Sequence, residues 1–171
     1  MLLCHLPRLA QLEITDCSDL TCGSTDLLQC ISSLERLLVE EDCKNGTVAL
    51  PERLGDLTSL TELSLLSCKG IKTLPESIQH LTCLRHLKIN GCPELVALPE
   101  RLGDLTSLVY LMLRDCDGIK SLPESIQQLT RLQLLEINGC PELVQWCILE
   151  ENKMKLAHIK DIELDGIMAT G

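Results

Sequence analysis

Cysteine is the residue type in this sequence with the most obvious chemistry, because thiolates bind metals and take part in redox reactions. Four of the 11 cysteines recur at 24-residue intervals, at Cys68, Cys92, Cys116 and Cys140. Zinc ligands normally come in pairs about two to four residues apart, and the sequence has no Cys-x-x-Cys. An odd number of cysteines also does not suit a disulfide-stapled secreted domain. We therefore predict a buried, reduced row of thiols that donate weakly to carbonyl groups of neighbouring turns.

The four histidines are the other candidates for catalysis or metal binding. No two of them have the His-x-x-x-His spacing, and none has a serine or cysteine at a spacing that indicates a nucleophile and its base. The phosphate-binding pattern Gly-x-x-x-x-Gly-Lys-Ser/Thr is also missing. We therefore predict no catalytic residue, no cofactor and no metal site. We expect a binding protein and not an enzyme.

Charge and hydropathy restrict the class of partner. The formal net charge is −10, whereas binding to nucleic-acid phosphates needs clustered lysine and arginine. The same charge opposes attachment to an anionic membrane surface. No apolar run approaches the roughly 20 residues that cross a bilayer, and the first residues lack the basic start of a signal peptide. We expect a protein partner, no nucleic acid and no membrane, in the reducing environment of the cytoplasm.

A repeat of 24 residues organises the elements that position these side chains. Residues 49–96 and 97–144 align without a gap and are identical at 36 of 48 positions. Each half of a block has the pattern Leu-x-x-Leu-x-Leu/Ile-x-x-Cys, as in Leu108, Leu111, Leu113 and Cys116. The alternation in the middle of this pattern is that of a strand with one buried face. The following Leu-Pro-Glu step, with aliphatic residues three apart, predicts a 3₁₀ or helical turn on the opposite side.

Two less regular units precede these blocks, so the sequence predicts six strands. The first unit contains Leu12 and Ile14, and the second contains Leu37 and Val39. A bulge or a longer turn is expected directly after the second strand. One coil buries too little apolar surface to be stable alone, so the coils must stack with their strands in parallel. The predicted strands centre on Ile14, Val39, Leu65, Ile89, Leu113 and Ile137.

The last repeat and the C-terminal segment contain the most distinctive motifs. The repeat contains Leu122-Pro123-Glu124-Ser125-Ile126 and ends with Cys140-Pro141-Glu142-Leu143, and Trp146-Cys147 and Glu150-Glu151-Asn152-Lys153 follow. These motifs resemble the C-terminal part of the leucine-rich-repeat domain in plant intracellular nucleotide-binding disease-resistance receptors. The resemblance implies an α/β leucine-rich-repeat solenoid of about six coils, with a parallel concave sheet and short 3₁₀ or helical convex turns.

The predicted domain has a repeat part and a terminal part. Residues 1–145 are predicted to form the leucine-rich-repeat solenoid, and residues 146–171 are predicted to form a C-terminal capping segment of the same domain. Within the cap we expect a short helix at Glu150–Ala157. Trp146 is predicted to cover the end of the core. Asn45-Gly46-Thr47 has the form of a glycosylation sequon, and we interpret it as a turn.

The two 48-residue blocks differ mainly at positions predicted to lie on the concave side of the strands. Eight of ten such positions differ, whereas only four of the other 38 do. Neutral substitution of exposed residues would have changed the outer side of the coils as well. We therefore predict a binding patch centred on Tyr110, Met112 and Arg114. The full set of predicted partner-binding residues is Glu62, Ser64, Leu66, His86, Lys88, Tyr110, Met112, Arg114, Leu134 and Glu136.

The resemblance implies a function in plant defence. The chain would be the sensing or autoinhibitory repeat domain of an immune receptor. Its concave face would bind a pathogen effector or the receptor's own nucleotide-binding domain, and this contact would shift the balance between off and on states. Because this chain lacks the phosphate-binding loop, a second interpretation stays open, namely a stand-alone scaffold or adaptor in intracellular signalling.

Overall fold

The structure, a computed structural model, describes residues 9–15, 31–41 and 49–169. Within these ranges the chain forms one eight-stranded sheet, and the strands follow each other in the order of the sequence. The turn after the second strand and the Asn45-Gly46-Thr47 sequence lie outside the described residues. What the structure describes is therefore the stack of coils and its C-terminal end.

Six strands of five residues form the repeat part of the sheet. They are β1 (Gln11–Thr15), β2 (Arg36–Glu40), β3 (Glu62–Leu66), β4 (His86–Asn90), β5 (Tyr110–Arg114) and β6 (Leu134–Asn138). Each strand is parallel to the next and in register, so that Leu111 lies beside Leu87 and Leu135. The prediction of six parallel strands is confirmed. The centre of each strand lies one residue earlier than predicted. In β5 it is Met112 rather than Leu113, because the two core residues of the strand lie on either side of a central residue that faces away from the core.

The core lies between the sheet and a row of turns on its opposite side. The second and fourth residues of each strand from β2 to β6 are buried, and those of β3 and β5 (Leu63, Leu65, Leu111 and Leu113) have no exposed surface. Among the described residues, four short turns close the coils, and they are 3₁₀ in geometry, as the spacing predicted. They are Leu54–Asp56, Glu76–His80, Leu102–Asp104 and Glu124–Gln128.

Two glycines bring neighbouring turns into contact. A Cβ atom on Gly55 or Gly103 would collide with the carbonyl oxygen of Ser77 or Ser125 in the next turn. Each glycine N–H instead donates to the hydroxyl oxygen of that serine at 3.1 Å. The same contact occurs in both 48-residue blocks. It therefore sets the spacing of the turns, while backbone pairing sets the spacing of the strands.

The C-terminal segment adds two helices and two further strands. They are α1 (Pro141–Ile148), α2 (Glu150–Leu156), β7 (Asp161–Leu164) and β8 (Ile167–Ala169). Strand β7 pairs in parallel with β6, and β8 returns antiparallel to β7. The helix that we predicted from residue 150 is present, whereas β7 and β8 were not predicted. Helix α1 has eight residues and includes residue 145, where we predicted the boundary between the solenoid and the capping segment. No helix in the described ranges is long and apolar enough to cross a bilayer.

Trp146 packs against the side of the last coils. Its ring is half-buried, and the Lys155 Nζ atom lies 5.7 Å from the ring centroid. A cavity of about 230 Å³ lies between Trp146 and the turn at Pro123. A separate cavity of about 590 Å³ lies within the C-terminal segment, with Met154 and Ile162 in its lining. Trp146 does not line this second cavity, but it is one of the partly buried hydrophobic residues that pack against the core.

Candidate functional site

The residues that alternate with the core residues form the other face of the sheet, which we call the inner face. Because the strands are in register, its side chains form three rows across the sheet. The first row consists of Gln11, Arg36, Glu62, His86, Tyr110, Leu134 and Asp161. The second row consists of Glu13, Leu38, Ser64, Lys88, Met112, Glu136 and Glu163. The third row consists of Thr15, Glu40, Leu66, Asn90, Arg114 and Asn138. All ten predicted partner-binding residues lie on this face, in β3–β6.

Ser64 differs from the other nine predicted residues because it is only 8 % exposed. It lines a cavity of about 400 Å³ on the inner face, together with Arg36, Leu38 and Glu62. The equivalent position of the second block holds the larger and half-buried Met112. The two blocks therefore present different shapes, a depression at Ser64 and a thioether side chain at Met112.

Glu62 is the acceptor of an ion-pair network that joins β2, β3 and β4. The Lys88 Nζ atom lies 2.6 Å from Oε1 of Glu62, and the Arg36 Nε atom lies 3.7 Å from Oε2. The hydrogen bond from Lys88 lowers the pKa of Glu62, and the charge of Arg36 acts in the same direction, while burial opposes both. The Glu62 carboxylate is therefore ionised and held in place at neutral pH.

Glu136 is the acceptor of a second network that joins β5 and β6. The Tyr110 hydroxyl donates to Oε2 at 2.5 Å, and Oε1 accepts from the Arg114 guanidinium at 2.8 Å and from the Asn138 amide at 2.9 Å. Burial alone would raise the pKa of Glu136, but the hydrogen bonds from Tyr110 and Arg114 outweigh it and lower that pKa. Burial and the bond to Glu136 raise the pKa of Tyr110. The His86 ring meets the Tyr110 ring edge to face at 6.3 Å.

The two networks occupy equivalent positions of the two blocks. Tyr110 takes the place of Glu62, and Glu136 takes the place of Lys88. In each block the two side chains bond diagonally across adjacent strands. The carboxylate, however, lies on the first strand of the pair in one block and on the second strand in the other. The paired substitutions thus keep a stabilising contact and change the chemistry that the surface presents.

Sequence reasoning missed the inner-face residues of β2 and β7. Arg36 and Leu38 alternate with the core residues of β2, and this alternation could have identified them. Asp161 and Glu163 are the corresponding residues of β7. Ile159, Ile162 and Leu164 have the same spacing as Leu108, Leu111 and Leu113, and this pattern could have identified the strand. The register step from β6 to β7 is 27 residues instead of the 24 of the repeats, so the period alone did not find it.

The four repeated cysteines lie in the core and not on the inner face. Each is at most 1 % exposed, which confirms the predicted burial, and all four thiols are free. The Sγ atoms of Cys68, Cys116 and Cys140 lie 3.5 to 3.7 Å from carbonyl oxygens of the preceding coil, as the repeat predicted. Contacts with neighbouring thiols and burial raise the pKa of Cys92 and Cys140. Among the described residues, no three side chains of metal-binding type come together.

No protein-family model matches the sequence, and no curated protein matches it. Solved structures do match. One is the leucine-rich repeat domain of the type III effector XopL, which is 27% identical with a TM-score of 0.73, over 92% of this chain and 52% of that one. A leucine-rich repeat protein of Leptospira interrogans is 24% identical with a TM-score of 0.67, over 94% and 44%.

A plant structure matches at lower similarity. The plant peptide hormone receptor RGFR1, in complex with RGF2, is 21% identical with a TM-score of 0.50, over 90% of this chain and 26% of that one. The present chain thus spans about half the length of the XopL domain and less of the other two structures. Together with the register of the sheet and the row of 3₁₀ turns, these similarities establish that the chain folds as a leucine-rich-repeat solenoid.

Proposed function

We propose that this chain is a protein-recognition module that binds its partner on the inner face. The observation that carries the proposal is the concentration of differences between the two blocks on this face, at eight of ten positions compared. The rest of each block keeps its residues at 34 of 38 positions. A duplicated scaffold that retains its core and turns while its inner face changes is typical of a surface adapted to a partner.

The centre of the face has the composition of a protein interface. Tyrosine and arginine are over-represented among residues that dominate binding energy, and Tyr110 and Arg114 lie on the same strand with Met112 between them. Methionine adapts to irregular partner surfaces. Hydrogen bonds to Glu136 hold both Tyr110 and Arg114 in place. Because both side chains are already ordered in the free protein, binding a partner costs less side-chain conformational entropy.

The biological setting that we propose is plant immunity. The motifs Leu122-Pro123-Glu124 and Cys140-Pro141-Glu142 resemble those of intracellular nucleotide-binding receptors. The chain would then be the sensing or autoinhibitory repeat domain of such a receptor, in the cytoplasm. Its inner face would contact a pathogen effector or the nucleotide-binding domain of the receptor. Contact would change the relative populations of the off and on states of that receptor.

A stand-alone scaffold or adaptor is the second candidate. The similarity to the XopL domain favours it, because that leucine-rich repeat domain belongs to a type III effector and not to a receptor. Both candidates use the same inner face. They differ in the partner, which is a nucleotide-binding domain or an effector in the first and a signalling protein in the second.

A pull-down from plant cytosol with matched variants tests the proposal. Proteins that bind the unaltered chain are compared with those bound by Tyr110→Ala and Arg114→Ala, and with those bound by Arg131→Ala as a control outside the inner face. We expect a specific partner that the control retains. Either inner-face change should weaken its binding by about 1–3 kcal/mol, and a thermal melt of each variant should show that it remains folded at the temperature of the assay. A partner that is lost with the control and kept by the inner-face variants would refute the proposed surface.

A further inference from the structure

The inner face has an excess of acidic residues. Its acidic members are Glu13, Glu40, Glu62, Glu136, Asp161 and Glu163, and its basic members are Arg36, Lys88 and Arg114. With histidine neutral, the described part of the face therefore has a net charge of −3. A partner that matches this face must supply positive charge.

The basic residues of the face are all engaged in ion pairs within the face. Arg36 and Lys88 both pair with Glu62, and Arg114 pairs with Glu136. None of the three cations is left over for an acidic partner. An acidic partner would have to break one of these pairs, and the cost of doing so would reduce its affinity.

Three acidic residues have no such compensation. No described lysine or arginine lies within 4.0 Å of the carboxylate of Glu13, Glu40 or Glu163. Glu163 also lies directly beside Glu136 in the register of β6 and β7. Like charges in this position repel each other, so a cation from a partner would relieve a repulsion that the free protein contains.

The uncompensated carboxylates lie toward the two ends of the face. Glu13 and Glu40 belong to β1 and β2, and Glu163 belongs to β7. Six strand spacings of ~4.8 Å separate β1 from β7, a distance of ~29 Å. Between them, Tyr110, Met112 and Leu134 form an apolar and aromatic cluster on β5 and β6, whereas β4 presents the polar side chains of His86, Lys88 and Asn90. The face thus has an apolar cluster on β5 and β6, with Glu163 of β7 on one side of it and Glu13 and Glu40 of β1 and β2 on the other.

We infer that the inner face binds a basic protein segment with apolar side chains at its middle and lysine or arginine residues on both sides. This inference rests on the proposed recognition function and adds the chemistry of the partner. The apolar middle of the segment contacts Tyr110, Met112 and Leu134. Its cationic ends pair with Glu13 and Glu40 at one side and with Glu163 at the other.

Selection from a peptide-display library tests the inference without knowledge of the natural partner. The intact chain is immobilised, and the library contains random peptides of about 16 residues, more than the ~9 extended residues that cover 29 Å. Peptides that also bind a Tyr110→Ala/Met112→Ala variant are removed, so that those retained depend on the inner face. Their affinities are then measured for Glu13→Gln/Glu163→Gln and for the control Glu52→Gln/Glu100→Gln, whose residues lie outside the inner face.

We expect the retained peptides to be rich in lysine and arginine on both sides of an apolar pair. Their affinity should fall roughly threefold to tenfold with Glu13→Gln/Glu163→Gln and stay unchanged with the control. It should also fall as salt concentration rises. Retained peptides that are neutral or acidic, or that bind both double variants equally, overturn the basic-segment inference and leave the proposed function intact. A library that yields no peptide dependent on Tyr110 and Met112 counts against the proposed function itself.

Discussion

The Tyr110 hydroxyl donates a 2.5 Å hydrogen bond to Glu136 across two adjacent strands, at the two positions that hold Glu62 and Lys88 one block earlier. The earlier pair is joined by a 2.6 Å contact between the Lys88 ammonium and the Glu62 carboxylate. Each block therefore has one carboxylate and one donor in the same diagonal arrangement. Changing only one member of a pair would leave a donor without its acceptor or place two acidic groups together.

Exchange of the first pair for the second tests this coupling. Glu62→Tyr removes the acceptor of Lys88, and Lys88→Glu places a second carboxylate beside Glu62. We expect each single change to lower the free energy of unfolding by about 0.5–1 kcal/mol. The double variant recreates the tyrosine–carboxylate contact of the second block. It should recover most of the loss in a urea-unfolding double-mutant cycle.

A parallel cycle on an outer pair is the control. Arg53 and Asp56 form an ion pair on an exposed turn, with side chains 46% and 40% exposed. The coupling energy there should be smaller, because solvent screens the pair more strongly. Additive effects at Glu62 and Lys88, with no recovery in the double variant, would show that the two blocks diverged residue by residue.

The environment of Tyr110 can be measured directly because it is the only tyrosine in the sequence. Burial and the bond to Glu136 raise its pKa, so the phenolate should form well above the ordinary value of about 10. The stability due to this shift is present below about pH 10 and is lost as pH rises through the folded pKa. In an ultraviolet titration, Glu136→Gln should move the transition to lower pH. An unshifted transition would contradict the buried hydrogen bond.

Glu136 should stabilise the fold at neutral pH and lose this effect in acid. Its folded pKa is lowered by Tyr110 and Arg114 despite burial. The stabilisation is therefore fully present above the ordinary glutamate pKa of about 4.3 and disappears as pH falls through the lower, folded pKa. Glu136→Gln should cost about 1–2 kcal/mol at pH 7 and progressively less below about pH 4. Glu52→Gln, a charge-neutralising change on an exposed turn, is the control in the same measurement.

Thiol labelling followed by peptide mapping separates exposed from buried cysteines. Cys83 is exposed, whereas the repeated cysteines and Cys147 are buried, and burial raises the pKa of Cys147 to about 12. Thiolates are the reactive form, so a thiol reagent should modify Cys83 rapidly in the native protein. The buried residues should react only after unfolding. Native labelling of Cys92 or Cys116 at the rate of Cys83 would disprove their place in the core.

The repeat part of the fold could be predicted because it is specified locally and many times over. The Leu-x-Leu alternation at Leu63 and Leu65 assigns a strand and its buried side, and the 24-residue spacing aligns each strand with the next. One error in register would expose a whole row of leucines. The period therefore determined the parallel pairing as well as the strands.

The pairing within the inner face could not be predicted in this way. Its side chains do not have to fill a core, so their types follow no period. Whether Glu62 bonds with Lys88 or Arg36 depends on distances across strands that the sequence does not contain. Sequence comparison showed that Glu62 and Lys88 had both changed in the second block, but not that the two changes were linked.

The sequence by itself determined the number of repeat strands, their direction, the core residues and the face on which the blocks differ. All of these follow from the 24-residue period. The coils must keep this period because each one buries the same apolar positions against its neighbours. Ile159, Ile162 and Leu164 keep the apolar spacing of the repeats, but only the tertiary structure decided that β7 pairs with β6 after a step of 27 residues. It also decided that Trp146 lies beside the last coils, and that the cations of the inner face pair with Glu62 and Glu136. The position of Trp146 and the ion pairs depend on single contacts between distant residues, and no repetition in the sequence records them.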